Sequence, residues 1–237
     1  MTGRVGTAYA RLLAAGELRT DAAQQRAVAA LDRLAVTATE PGGFFQRLLG
    51  RQSQGCDGVY LWGGVGRGKS MLMDLAFDHI DREPKRRVHF HAFMLETHAR
   101  LRDARMSEHG DPIDEVAERI ASEARLLAFD EMVVNNPADA MILSRLFGKL
   151  LERGVKVVTT SNRPPQDLYK DGLNRELFLP FIDLIGQRMD VVAVDGPTDF
   201  RLHRLAGVQV WHVPNGPQAT AALSDAFFRL TDYAVED

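Results

Sequence analysis

Residues 63–70 read Gly-Gly-Val-Gly-Arg-Gly-Lys-Ser, which meets every fixed position of the pattern G-x-x-x-x-G-K-[ST]. The apolar run Val59-Tyr60-Leu61-Trp62 ahead of it predicts a short buried strand, and Lys69 to Ile80 predicts a helix. A strand that turns through glycines directly into a helix leaves few folds open. The glycines let backbone N–H groups curl inward, and the helix N-terminus adds partial positive charge, so the turn is built to cradle phosphate. Gly63, Gly64, Val65, Gly66, Arg67, Gly68, Lys69, Ser70 and Met71 are the candidate nucleotide contacts. Lys69 is placed to reach the β- and γ-phosphates, and the Ser70 hydroxyl to ligate Mg²⁺. The Met71 side chain, with Met73 and Phe77, reads as core.

The rest of the chain fits that start. Strands are predicted at Val88–Phe93, Leu126–Phe129, Val155–Thr160 and Met189–Val194, with helices between them. Asp111-Pro112 and Asn136-Pro137 each pair an N-cap with a first-turn proline, and Gly154 ends the helix that Asn136 begins. Strands apolar along their length and separated by helices indicate an α/β fold, a parallel five-stranded sheet covered on both faces. Residues 1–55 are expected to form an N-terminal helical segment, 56–200 the phosphate-loop core and 201–237 a short appendage. In the first, Asp21 caps a helix carrying Ala27, Val28, Leu31, Leu34 and Ala35, Pro41-Gly42-Gly43 breaks it, and Phe44–Leu49 begins another. In the last, Val208–Val213 is a strand candidate and Ala219–Leu230 a helix.

Parallel topology sends the carboxyl ends of the strands to one rim, where ligands bind. Asp130 and Glu131 end the Leu126–Phe129 strand there. Asp130 is placed to hold the Mg²⁺ shared with Ser70, and Glu131 to orient and polarise an attacking water. Transfer to an organic acceptor needs no carboxylate directed at water, so the pair favours hydrolysis. Asn162, at the end of the fourth strand, is positioned to bond the γ-phosphate and that water; its competing reading is a turn-forming residue before Arg163-Pro164-Pro165. Arg175 lies in a segment rich in turn signals, where it either reaches a neighbouring subunit's γ-phosphate or is a surface arginine. His89 and His91, two apart on the expected second strand, read as a packed or hydrogen-bonded pair rather than metal ligands. Gln24 reads as an exposed helical glutamine, with adenine contact the lesser reading.

Composition narrows the function classes. Lys plus Arg is 29 and Asp plus Glu is 32, a net charge of −3 with no global basic field, which argues against nucleic acid as the partner. A single cysteine, Cys56, excludes an internal disulfide framework and a multi-thiolate metal site and fits a reducing compartment. No apolar run approaches the roughly 18 residues of a membrane span, so no stable membrane insertion is expected. Arg4, Arg11 and Arg19 precede no continuous apolar core of a secretory signal. A cytoplasmic protein is the default, with a mitochondrial location second.

The segments GVYLWGGVGRGKSMLMDLAF, HFHAFM, LLAFDE, DAMIL and TSNRPPQDLYKDGLNRELFLPFI occur in this order. Together they resemble the ZapE family of bacterial cell-division ATPases, of the AAA+ class, and the mitochondrial ATPases related to it, over about residues 8–215. The resemblance implies Gly63–Ser70 as the phosphate loop, Asp130 and Glu131 as the second Walker motif, Asn162 as the first sensor and Arg175 as the arginine finger. It implies a sheet order 5-1-4-3-2, and an ATPase that assembles into homo-oligomeric rings and, in bacteria, acts on FtsZ at the division site. Met132 stands where the family usually has Phe, and Asn136 where it usually has Asp. The chain stops at Asp237, where relatives continue with a further α/β and helical segment expected to close over the nucleotide or build subunit contacts. Two alternatives follow: a truncated nucleotide-dependent binding module with little hydrolysis, or an AAA+ protein of the helicase-loader type.

Overall fold

The computed structural model describes residues 3–39, 56–106, 110–195, 213 and 216–231. The break at Pro41-Gly42-Gly43, the expected helix over Phe44–Leu49 and the expected strand over Val208–Val213, apart from Val213 itself, lie outside them. The chain divides into two compact units, Met1–Gly196 and Pro197–Asp237. The second contains the helix Pro217–Thr231, which covers the expected Ala219–Leu230. No helix among the described residues is long and apolar enough to cross a membrane.

The first unit runs α1 (Arg4–Ala14), α2 (Ala22–Thr39), β1 (Gly58–Trp62), α3 (Lys69–His79), β2 (Lys85–His89), α4 (Phe90–Met106), α5 (Pro112–Glu123), β3 (Leu126–Asp130), α6 (Pro137–Glu152), β4 (Lys156–Ser161), α7 (Leu179–Arg188) and β5 (Met189–Ala193). Two 3₁₀ turns, Pro165–Asp167 and Arg175–Leu177, lie between β4 and α7. The helices start where their caps dictate. The Asp21 carboxylate accepts the N–H groups of Ala23 at 2.8 Å and Gln24 at 2.9 Å. Asp111 accepts from Ile113 and Asn136 from Ala138, each with proline in the first turn. Asn136 therefore caps α6 as the family's usual Asp would, and Gly154, at φ 78°, follows its end.

The five strands pair in parallel in the order β2-β3-β4-β1-β5, which is the 5-1-4-3-2 order that the resemblance implies. β1, β3 and β4 are the inner strands and are almost wholly buried. β2 departs from expectation: it spans Lys85–His89, not Val88–Phe93, and α4 begins at Phe90. It is an edge strand whose charged residues serve both faces. Arg86 pairs with Glu96 on one side, and Arg87 pairs with Asp130 on the other, where the Lys85 ammonium donates to the Phe77 carbonyl at 2.9 Å. Three basic residues in a row hide such a strand from hydropathy. His89 and His91 accordingly sit on a strand and a helix, both exposed, and form no packed pair.

Period-two alternation divides the core between the faces of the sheet. Leu126 and Ala128 of β3 face α3, packing with Leu72, Met73 and Ala76, while Leu127 and Phe129 join α4, α5, α6 and α7. Phe129 is fully buried and meets three rings, with centroids 5.8 Å to Phe90, 4.7 Å to Phe93 and 5.7 Å to Phe147. Met132, in place of the family's Phe, is buried in the same cluster.

The N-terminal helices pack on β1 and α3 through Val5, Ala27, Leu31 and Leu34. Gln24 is not exposed as expected; it is 1% accessible. Its Oε1 accepts the Tyr9 hydroxyl at 3.1 Å, and its Nε2 donates to the Arg67 carbonyl at 3.2 Å. The amide is thus engaged at both ends by protein, one of them the glycine turn.

Phe129→Ala is expected to cost about 3–5 kcal/mol of unfolding free energy, as for other buried aromatic truncations; urea denaturation measures it, and a loss under 1 kcal/mol would mean that the surrounding rings collapse into the space. Gln24→Ala leaves a tyrosine hydroxyl and a loop carbonyl without their amide, for an expected loss of about 1–3 kcal/mol by the same assay.

Candidate active site

The turn after β1 owes its shape to three glycines with positive φ: Gly63 at 150°, Gly66 at 78° and Gly68 at 83°. A Cβ on Gly63 would stand 2.3 Å from the Val194 carbonyl oxygen, and one on Gly68 would stand 2.8 Å from Gln24 Nε2. At Gly63 the obstacle is backbone, so a side chain is excluded; at Gly68 it is a side-chain amide, and the positive φ is what favours glycine. Gly68 caps α3, so the helix N-terminus opens onto the turn. Arg67 folds against the loop with its Nε 3.8 Å from the Asp195 carboxylate, and its Nε and Nη1 are buried without a hydrogen bond.

Lys69 is 8% accessible. Its ammonium donates to the carbonyls of Gly63 at 2.8 Å and Gly64 at 2.7 Å and to Asn162 Oδ1 at 3.1 Å. That last bond ties the start of α3 to the end of β4, and so brings together two candidates 93 residues apart. Asn162 is exposed at the rim, directly after the buried Ser161.

Asp130 ends β3 on the α3 side of the sheet. Its carboxylate takes two bonds from Arg87, at 2.8 Å from Nε and 3.2 Å from Nη2. Arg87 Nη1 donates to Asp74, one turn past Ser70 on α3. The bond to Asp130 is the chief cause of a raised Arg87 pKa. Glu131 leaves the strand in the left-handed region, at φ 54°. Its N–H donates to Thr160 Oγ1 at 3.0 Å, and the next N–H, of Met132, donates to the Thr160 carbonyl at 2.7 Å. The Ser161 hydroxyl donates to the Met132 carbonyl at 2.9 Å. Ser70, Arg87, Val88, His89, Asp130 and Glu131 line one open cleft of about 500 Å³.

Arg87, Thr160 and Ser161 were not singled out by sequence. Arg87 lay within a charged run, and the two hydroxyls read only as the polar end of a strand. Arg175 stands apart from this group. It opens the 3₁₀ turn Arg175–Leu177, donates from Nη2 to the Gln166 carbonyl at 2.7 Å, and keeps its Nε buried without a partner. The approach to it is bent, with Tyr169, Asp171 and Asn174 all at φ between 51° and 61°. A Cβ on Gly172 would lie 2.4 Å from the Tyr169 ring. Phe178 and Tyr169, 5.6 Å apart, root this segment in the core.

The donor set of Ser70 hydroxyl and Asp130 carboxylate is hard oxygen, which suits Mg²⁺ rather than a soft metal. The glycine turn has no room for a side chain at Gly63 and positive φ at Gly63, Gly66 and Gly68, so it presents backbone, which suits phosphate.

Comparison with known proteins follows the same lines. The chain is similar to the cell division protein ZapE of Escherichia coli K12, 42% identical over 173 residues, covering 73% of this chain and 46% of that protein. It is also similar to lactation elevated protein 1 homolog B of Danio rerio, 42% identical over 184 residues, covering 73% of this chain and 36% of that one. The chain thus spans about half or less of the length of these relatives. Among solved structures, domain III of the Thermotoga maritima replication initiation protein DnaA superposes with a TM-score of 0.53 at 17% identity, covering 92% of this chain and 90% of that one. That likeness speaks for the fold alone, an α/β core with a parallel sheet and a phosphate loop. The AFG1-like ATPase family matches residues 4–237, and with the 42% identity to ZapE this places the chain in that family.

Proposed function

We propose that the protein binds ATP with Mg²⁺ and hydrolyses it to ADP and phosphate, in an assembly of several copies. The observation that supports this best is the convergence, on one rim, of Lys69 bonded to Asn162 with Ser70, Asp130 and Glu131 around one cleft. The loop N–H groups and Lys69 bind the phosphates; phosphate oxygens replace the loop carbonyls as acceptors of the Lys69 ammonium. Ser70 and Asp130 hold Mg²⁺, which when bound neutralises charge developing on the phosphates. Glu131, exposed at the cleft, accepts the proton of an attacking water and holds it in line. Asn162 bridges Lys69 to the γ-phosphate.

Arg175 completes the site of a neighbouring copy. Its turn sits outside its own chain's cleft yet is firmly built, and Leu173, Leu177 and Leu179 around it are exposed, as a surface covered by another copy would be. In the reading that follows from the family, the protein acts in the cytoplasm at the division site and remodels FtsZ, as a ring. The name of the Escherichia coli relative, a cell division protein, supports cell division as the setting.

Lys69→Ala is expected to lose most nucleotide affinity, whereas Glu131→Gln should retain it and lose turnover about 100-fold or more. Equilibrium binding of a fluorescent ATP analogue and phosphate release separate the two, and Glu131→Gln turning over at the unmodified rate would remove Glu131 from the chemistry. Arg175→Ala should bind ATP and lose about 10³-fold in rate. Mixed with Glu131→Gln, it should recover part of the activity, because some interfaces then pair an intact Glu131 site with an intact Arg175. No recovery in an assembly shown by mass to be mixed would refute action across the interface.

A further inference from the structure

β2 carries Lys85, Arg86 and Arg87 in succession, and alternation sends Arg87 to the α3 side of the sheet. In register it stands beside Ala128, two residues short of Asp130, which lies opposite His89. Its side chain runs forward along the strand to the rim. There it makes a bidentate contact that uses both oxygens of Asp130, the atoms a metal ion would take. The third arm of the guanidinium, Nη1, already rests on Asp74. Asp130 is 12% exposed, whereas Asp74 is 47% exposed, so one partner faces the site and the other faces water.

A guanidinium and a divalent cation repel each other and compete for the same lone pairs. With Nη1 already on Asp74, the arginine has an acceptor to fall back on if Nε and Nη2 leave Asp130. We propose that Arg87 is a positioning residue that holds the Asp130 carboxylate in competition with the divalent cation and falls back on Asp74 when the cation binds. This rests on the reading of Asp130 as a metal ligand. Its consequence is that the two ends of one bridge act on metal affinity with opposite sign. Removing Arg87 frees Asp130 and tightens metal binding. Removing the Asp74 charge leaves the guanidinium nowhere else to go and weakens it. A bridge that only supports the fold would weaken metal binding from either end.

The test titrates Mn²⁺ into the 237-residue chain with a non-hydrolysable ATP analogue, following free Mn²⁺ by electron paramagnetic resonance. Arg87→Gln is expected to lower the Mn²⁺ midpoint about fivefold or more, and Asp74→Asn to raise it by a similar factor. In the Arg87→Gln background, Asp74→Asn should no longer shift the midpoint, whereas simple through-space charge would leave its effect intact. Arg87→Lys, which keeps the cation, should return the midpoint toward that of the unmodified protein. Thermal melts followed by circular dichroism identify any variant that does not fold. If Arg87→Gln is one, an unchanged midpoint in Asp74→Asn overturns the proposal by itself. A raised or unchanged midpoint in folded Arg87→Gln, or an Asp74→Asn shift that persists without Arg87, also overturns it. Asp130→Asn separates the two readings. If it leaves the midpoint unmoved, Asp130 is no metal ligand and both fall. If it weakens Mn²⁺ binding while Arg87→Gln does not tighten it, only the proposal for Arg87 falls.

Discussion

The parallel register of the sheet is the constraint on which the site depends. β1 and β4 align Trp62 with Ser161, so the next residues, Gly63 and Asn162, come level at the rim. That alignment lets the Lys69 ammonium span from the Gly63 carbonyl to the Asn162 side chain. β1 and β5 align Trp62 with Ala193, which brings Val194 against Gly63 closely enough to exclude a Cβ. β2 and β3 align His89 with Asp130. A slip of one residue in any of these pairs would turn the site residues to the opposite face, because side chains alternate with period two. Packing resists such a slip: β1, β3 and β4 are covered on both faces, so it would exchange the side chains fitted against α3 with those fitted against α4 to α7.

The same strands connect the phosphate rim to the Arg175 turn through packed rings. Phe129, next to Asp130, touches Phe147; Phe147 meets Phe181 at 5.1 Å; Phe181 meets Phe178 at 5.2 Å; and Phe178 meets Tyr169. Phe178 follows the Arg175–Leu177 turn directly. Close-packed interiors transmit displacement rather than absorb it. The end of β3 and the base of the turn that carries Arg175 are thus parts of one continuous packed core.

Much of this was legible in the residues because the signals were local. Gly63 to Ser70 announces itself by spacing, and Leu126 to Phe129 by an unbroken apolar run whose end marks Asp130 and Glu131. The caps at Asp111 and Asn136 sit beside their prolines. What was not legible depends on partners distant in sequence. Gln24 becomes a buried residue only because Arg67 and Tyr9 meet it, the former 43 residues away. β2 hid because its basic residues look solvated until Glu96, Asp130 and Asp74 are brought beside them. Thr160 and Ser161 read as a strand end, yet both bond across to the segment leaving β3.

That segment shows how the two adjacent acids come to differ. In a continued strand, Asp130 and Glu131 would point to opposite faces of the sheet, one over α3 and one over α6. Glu131 instead takes a left-handed backbone conformation, which costs a residue other than glycine on the order of 1–3 kcal/mol. Two hydrogen bonds to Thr160, from the N–H groups of Glu131 and Met132, contribute about 1 kcal/mol each and offset most of it. Burial of Met132 immediately afterwards keeps the chain from relaxing back, since extending the strand would withdraw that side chain from the core. The bend therefore leaves Asp130 paired within the sheet's rim and Glu131 exposed at the cleft. Asp130 is held against the Arg87 guanidinium while Glu131 is left to face solvent, the difference that the proposed metal ligand and the proposed base for water would need.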